Sequence, residues 1–140
     1  MAEVDKKQLE ELTFAGDIFY HVEHTWVKVE GEEARIGISD YAQDQLGEII
    51  FIELPAVGDE YKQGEVFGQA ESAKTVSSLY MPISGKIIAL NEELEDDPEI
   101  VNHSPYEKGW MIVVEPQNLK EAEQLLSKDG YVGMLKDDRQ

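Results

Sequence analysis

A lysine does chemistry in two opposite settings. Desolvated in a pocket, its amine loses its proton readily and attacks carbonyl carbon. Held in water on a stiff support, it is a handle that another enzyme can acylate, and the amide so formed removes its charge. Lys74 lies in a stretch of the second kind, GEVFGQAESAKTVSSLYMPISG, from Gly64 to Gly85. Before it, Val66, Gly68 and Ala70 fall on one face at period two; after it, Thr75 to Met81 is β-branched and aromatic until Pro82. Two β-like runs around the polar break Glu71-Ser72-Ala73-Lys74 predict a hairpin with the lysine at or beside its tip. Turn residues flank it on both sides: Val57-Gly58-Asp59 and Gly64 before, Pro82 and Ser84-Gly85 after. Exposed lysines on polar tips are common, so it is these surroundings that single Lys74 out.

Other groupings carry less. Gly68 to Thr75 nearly matches the phosphate loop G-x-x-x-x-G-K-[ST], but Ala73 replaces the second glycine and Glu71 would put a negative charge in the nest. That motif also needs a following helix, whereas Thr75-Val76 opens a β-like run. His21 and His24 resemble half a zinc motif; on a strand, residues three apart face opposite ways, so surface or partly packed histidines are expected. The run Glu92 to Asp97 lacks the glycine and spacing of a calcium loop and reads as a solvated acidic loop. Ser84-Gly85 is no nucleophile elbow, having neither G-x-S-x-G nor a base.

The elements that must hold Lys74 follow from periodicity. Residues 1–17 form a loosely held lead-in, with Leu9, Leu12 and Phe14 in one amphipathic turn. Residues 18–140 form one domain. Ile18 to His21 is a short strand, and Thr25 to Glu30 and Ala34 to Ile38 are a hairpin about Gly31. Ser39-Asp40 caps a short helix, with Gln43 three places after Asp40, and Gly47 ends it. Ile49 to Ile52 is continuously apolar, which predicts a central strand buried on both faces and closed by Pro55. Lys86 to Leu90 and Trp110 to Val114 are further strands, with one helical turn between, at Pro98 to Asn102. Asn118 caps a final helix, about 117–129, with Leu119, Ala122, Leu125 and Leu126 on one face, Glu121 at the box position and Gly130 as its stop. Short strands, Gly/Pro turns and peripheral helices point to a mainly β sandwich or flattened barrel.

Composition narrows the partners. The chain has 140 residues, 41% of them hydrophobic, enough for one domain with a core. A net charge of −18 argues against nucleic acid and anionic membranes and suits basic patches on proteins. There is no cysteine, hence no disulfide, thiolate site or thiol nucleophile. The opening MAEVDKKQLEEL is too acidic for a transit peptide and has no apolar signal region. No apolar run has membrane-spanning length. A cytoplasmic address is expected.

Several stretches, in order, resemble the glycine cleavage H-protein family. Glu71-Ser72-Ala73-Lys74-Thr75, followed by Met81-Pro82-Ile83-Ser84-Gly85-Lys86-Ile87, is similar to its lipoyl-lysine segment. His24-Thr25-Trp26-Val27, Gly37-Ile38-Ser39-Asp40-Tyr41-Ala42-Gln43, Leu46-Gly47-Glu48-Ile49 and Glu53-Leu54-Pro55 with Val57-Gly58 also match. So do Glu99-Ile100-Val101-Asn102, Ser104-Pro105-Tyr106 and Gly109-Trp110-Met111. Biotin carriers flank their lysine with methionines, and 2-oxoacid dehydrogenase lipoyl domains show Asp-Lys-Ala; neither pattern is present.

The resemblance implies a barrel-sandwich hybrid of short antiparallel strands, with peripheral short helices and a C-terminal helix, and lipoate amide-linked to Lys74. Glu71, Ser72, Ala73 and Thr75 would be the turn that a lipoate ligase or octanoyl/lipoyl transferase reads. It implies a monomeric, non-catalytic carrier. Glycine decarboxylase loads an aminomethyl group onto the arm, aminomethyltransferase unloads it, and dihydrolipoamide dehydrogenase reoxidises the dithiol. A surface cleft would shield the loaded arm. The alternative keeps the fold and makes the chain a related octanoyl or lipoyl carrier that donates to other lipoyl proteins or serves another pathway. Three positions depart from the family's commonest pattern: Thr25 for glutamate, Tyr41 for histidine, and Ser78 near a frequent aspartate. Each removes a polar or charged group suited to binding an amine.

Overall fold

The structure is a computed structural model and describes residues 9–138. Two antiparallel sheets enclose the main core. The larger has the strand order β1-β2-β3-β9-β8-β5 and the smaller the order β4-β6-β7. In the first, β1 is Phe19–Tyr20, β2 Thr25–Glu30 and β3 Glu33–Ile38; β5 is Glu60–Tyr61, β8 Gly85–Leu90 and β9 Ile112–Pro116. In the second, β4 is Ile49–Glu53, β6 Val66–Ser72 and β7 Val76–Tyr80. Ile36, Ile49, Ile52, Leu79, Ile83, Ile87 and Ile112 pack between them. Neither sheet closes on itself, and the pair makes a barrel-sandwich hybrid.

Local signals place most elements. The β2–β3 hairpin turns at Gly31, whose φ of +66° a side chain would resist. Helix α1, Asp40–Leu46, is capped by Ser39, whose Oγ accepts from the Ala42 N–H, and it ends at Gly47 with φ +82°. Gln43 does not close the helix end; its amide donates to Asp40 Oδ1 at 2.7 Å.

Several expectations need correction. Strand β4 is an edge, not a central strand. A bulge between Ile49 and Phe51 adds an unpaired residue, so Ile50 and Phe51 are 53% and 50% exposed while Ile49 and Ile52 point inward. A second bulge, between Val66 and Gly68, breaks the expected alternation: Val66 is exposed and Phe67 is buried. The acidic loop is folded. Glu93–Asp96 is a helical turn, α2, pinned by buried Leu94, ahead of the turn α3 at Ile100–His103.

The C-terminal helix lies later than 117–129. Asn118 does act as a cap, but of a 3-10 helix at Leu119–Gln124. That helix stops because Leu126 pairs with Tyr20, exchanging both backbone hydrogen bonds at 2.8 and 2.9 Å. Glu121 serves Ser84 instead of a capping box, accepting from its N–H at 2.7 Å and its hydroxyl at 3.0 Å. The α-helix proper, α4, is Lys128–Asp138, so Gly130 lies inside it.

A second cluster anchors α4 and the lead-in. Tyr20 and Tyr131 stack at 4.4 Å with 4° between their planes, beside Trp26, Leu135 and Ile18. Contrary to a loose lead-in, Leu12 is buried, and Thr13 donates to Asp40 and accepts from Tyr106. Residues 1–8 lie outside the described residues. Burial pushes the Tyr20 phenol up to about 12, and it raises Tyr106 and Tyr131 further still.

Those phenols are protonated in the fold and titrate near 10 in the open chain, so their contribution is intact below pH 10 and is lost as pH rises toward 12. Melting temperature should fall steeply above pH 10, with the tyrosinate absorbance of these three of the six tyrosines appearing only on unfolding; ionisation of all six in the native protein at pH 10 would refute this. In β6, Gly68 has no room for a Cβ against the Glu53 carbonyl. Gly68→Ala should cost about 1–3 kcal/mol or more in urea unfolding.

Candidate functional site

Strands β6 and β7 stay in register up to the pair Glu71 and Val76, and the chain reverses through Ala73, Lys74 and Thr75. The reversal is closed by Ser72, whose N–H donates to the Thr75 carbonyl at 2.8 Å. The Ser72 hydroxyl is buried beneath it, with the Lys74 and Thr75 N–H groups at 3.4 and 3.3 Å. These last contacts are long and individually weak, but all converge on one fixed oxygen. The lysine is therefore exposed on a turn whose backbone has few alternatives. Its four expected neighbours are all here: Glu71 half-buried on β6, Ser72 under the turn, Ala73 and Thr75 exposed on it.

Below Lys74 lies the C-terminus of α1. A Cβ on Gly47 would stand 3.6 Å from Lys74 Cε and 3.9 Å from Nζ, so the side chain crosses the bare helix cap. The cationic end thus rests at the negative pole of a helix. Asn102 on α3 fixes this cap. Its Nδ2 donates to the Gly47 carbonyl at 2.9 Å and to Gln43 Oε1 at 2.8 Å, while Oδ1 accepts from Ile49 N–H at 2.9 Å. In sequence, Asn102 has no assigned role beyond its place in the family-like stretch Glu99-Ile100-Val101-Asn102; that match and a polar residue ending a single helical turn are the available signals.

Beside the turn, a cleft of about 320 Å³ runs between β7 and the β2–α1 side. Thr75, Val76, Ser77 and Ser78 form one wall, and His24, Thr25, Tyr41, Ala42 and Gln45 help form the rest. The three unusual positions meet here. Thr25 is buried and donates its hydroxyl to the Tyr80 carbonyl at 2.8 Å; Tyr41 lies 5.2 Å from the His24 ring; Ser78 is exposed. His24 has φ +80°, and its Nδ1 is 2.8 Å from the Tyr131 hydroxyl, itself 2.7 Å from Ser39 Oγ. Thus α4 and the α1 cap together hold one cleft wall.

The remaining candidates stay apart. His21 and His24 occupy a turn, with His21 Nδ1 accepting from the Glu23 N–H and burial lowering the pKa of its ring. Among the described residues no group of three or more His, Asp or Glu could hold a metal. The segment after Lys74 is strand β7, which removes the helix a phosphate loop needs. Ser84 is pinned by Glu121, which accepts from both its N–H and its hydroxyl. No described helix is long and apolar enough to cross a membrane.

A family model described as Glycine cleavage H-protein matches residues 18–138. A glycine cleavage system H protein of Halalkalibacterium halodurans is 57% identical over 122 residues, covering 87% of this chain and 95% of the relative. One from Bacillus subtilis is 57% identical over 122 residues, covering 87% and 96%. The crystal structure of a glycine cleavage system H protein from Mycobacterium marinum superposes with a TM-score of 0.81 at 35% identity, covering 87% of this chain and 98% of that one.

Removing the Asn102 side chain strands the Ile49 N–H and the carboxamide oxygen of buried Gln43. Asn102→Ala should lower unfolding free energy by roughly 2–4 kcal/mol, the summed desolvation of those groups. A loss below about 0.5 kcal/mol, within the ordinary range for surface substitutions, would mean that the cap does not depend on it.

Proposed function

The chain belongs to the glycine cleavage H-protein family, and from that premise we propose that it is the system's lipoyl carrier, with lipoate joined in amide linkage to Lys74 Nζ. The observation that carries the reading is an exposed primary amine on a braced β-turn at the mouth of an open cleft. Acylation needs the amine in water and its backbone held still, so that the modifying enzyme loses little ordering entropy on binding. Ser72 and the Gly47 cap meet both needs.

When attached, lipoate supplies a disulfide at the far end of a flexible arm, which accepts the aminomethyl group derived from glycine. The protein itself performs no bond chemistry. It is the shared substrate of glycine decarboxylase, aminomethyltransferase and dihydrolipoamide dehydrogenase, and tethering raises the local concentration of the arm at each. The cleft is large enough for a chain of that size and lies within reach of the lysine. Its walls of His24, Tyr41, Val76 and Leu79 would keep water from a labile group.

The second reading is an octanoyl or lipoyl carrier that donates to other proteins, and the cleft lining favours it at one point. Thr25, Tyr41 and Ser78 are neutral, which suits an uncharged acyl chain better than an amine.

Intact mass after incubation with lipoate ligase, ATP and lipoate should rise by one lipoyl group in the native chain and stay unchanged in Lys74→Ala. Modification persisting in that variant would move the site elsewhere. The loaded protein should then support glycine-dependent carbon dioxide exchange by glycine decarboxylase. Loading without exchange would favour the donor-carrier reading.

A further inference from the structure

The outward face of the small sheet carries a row of which Val76 borders the cleft while Ile50, Phe51 and Glu71 do not, so the carrier role leaves most of it unexplained. Phe51, Glu71 and Val76 are directly paired across β4, β6 and β7, and all three point away from the core. The bulge beside them turns Ile50 out as well, so Ile50, Phe51 and Val76 are each about half exposed, at 53%, 50% and 53%. Such a cluster around one carboxylate is an unusual use of a solvent-facing edge. Its place is also particular: the Glu71–Val76 pair is the last before the turn that bears Lys74.

We propose that this row is the docking surface of the enzyme that acylates Lys74, whose matching surface is basic and offers an apolar seat to Phe51. The inference rests on reading Lys74 as the acylated residue. Geometry selects this occupant. An enzyme acting on the amine itself must come within one side chain of the turn, so its surface covers the adjoining row. One acting at the far end of an extended arm can stand off from that row. The row spans two inter-strand spacings, about 10 Å across, and so fits a single anchoring contact.

Charge selects the partner's sign. From Ser39 to Met81 the chain has eight acidic residues and two lysines, one of them Lys74. Next to the row, Glu53 accepts from Gln69 at 3.0 Å on the same outward face. A basic partner is steered to such a face, and a second copy of a chain with net charge −18 is repelled from it.

The test is the steady-state rate of lipoate ligase, with ATP and lipoate, on the full-length protein. Phe51→Ser and Ile50→Ser should each lower kcat/KM about tenfold, mainly through KM, as expected for an interface anchor. Val57→Ser, 61% exposed beyond the opposite end of β4, should match the native chain within about twofold. Glu71→Gln should weaken the dependence of KM on salt. Melting temperatures report folding, and long incubation should still load every variant completely, which shows Lys74 to be reachable.

Unchanged kinetics in Phe51→Ser would overturn the proposal. So would a Phe51-dependent dimer in sedimentation, or slowing confined to the decarboxylase acting on preloaded protein, since each gives the face to another occupant. If the native chain gains no mass at all, the reading of Lys74 fails, and the docking surface with it.

Discussion

One carboxamide sets the geometry on which the rest depends. Asn102 reaches across from a four-residue helical turn and satisfies the end of α1, a buried glutamine and the first amide of β4 together. The first and last are backbone groups at the end of an element, where no regular partner exists. Joining them fixes Gly47, and Gly47 is the floor on which Lys74 lies. It also fixes where β4 begins, and so where its bulge falls. The exposed amine and the apolar edge next to it are both measured from this point.

The lysine is stiff because two unlike restraints coincide. Along the strands, β6 and β7 pair without a break from Gly68 and Leu79 to Glu71 and Val76, while Gly68 lets β6 approach the Glu53 carbonyl too closely for any side chain. Across the turn, buried Ser72 gathers the backbone amides that the reversal would leave loose. Neither involves the lysine side chain. An ammonium on this support can lose its charge to acylation without disturbing what holds it, as a modification site requires.

Much of this was readable from residue types. The Lys74 hairpin, the β2–β3 hairpin and the Ser39 cap follow from alternation and local hydrogen-bonding chemistry, which act within a few residues. The misreadings share a cause of the other kind. Ile49 to Ile52 reads as fully buried because a bulge cannot be seen in a run of four apolar residues. Leu125 and Leu126 continue a helical pattern, yet Tyr20, over a hundred residues earlier, claims Leu126 as a strand partner and ends the helix. Asn102 escaped for the same reason, since none of its partners is near in sequence. At the cleft, Thr25, Tyr41 and Ser78 were recognised as departures, but only the fold brings them to one lining.

The stack of Tyr20 on Tyr131 joins the first strand to the final helix, and the Tyr131 hydroxyl is also what His24 and Ser39 meet. The order of synthesis therefore matters. The hairpin bearing Lys74 is complete when little more than half the chain has been made, whereas the wall facing it waits for residues near the C-terminus. The turn that offers the amine is braced from Ser72 and Asn102 and the cleft wall from Tyr131, so the two are held by separate stretches of the chain.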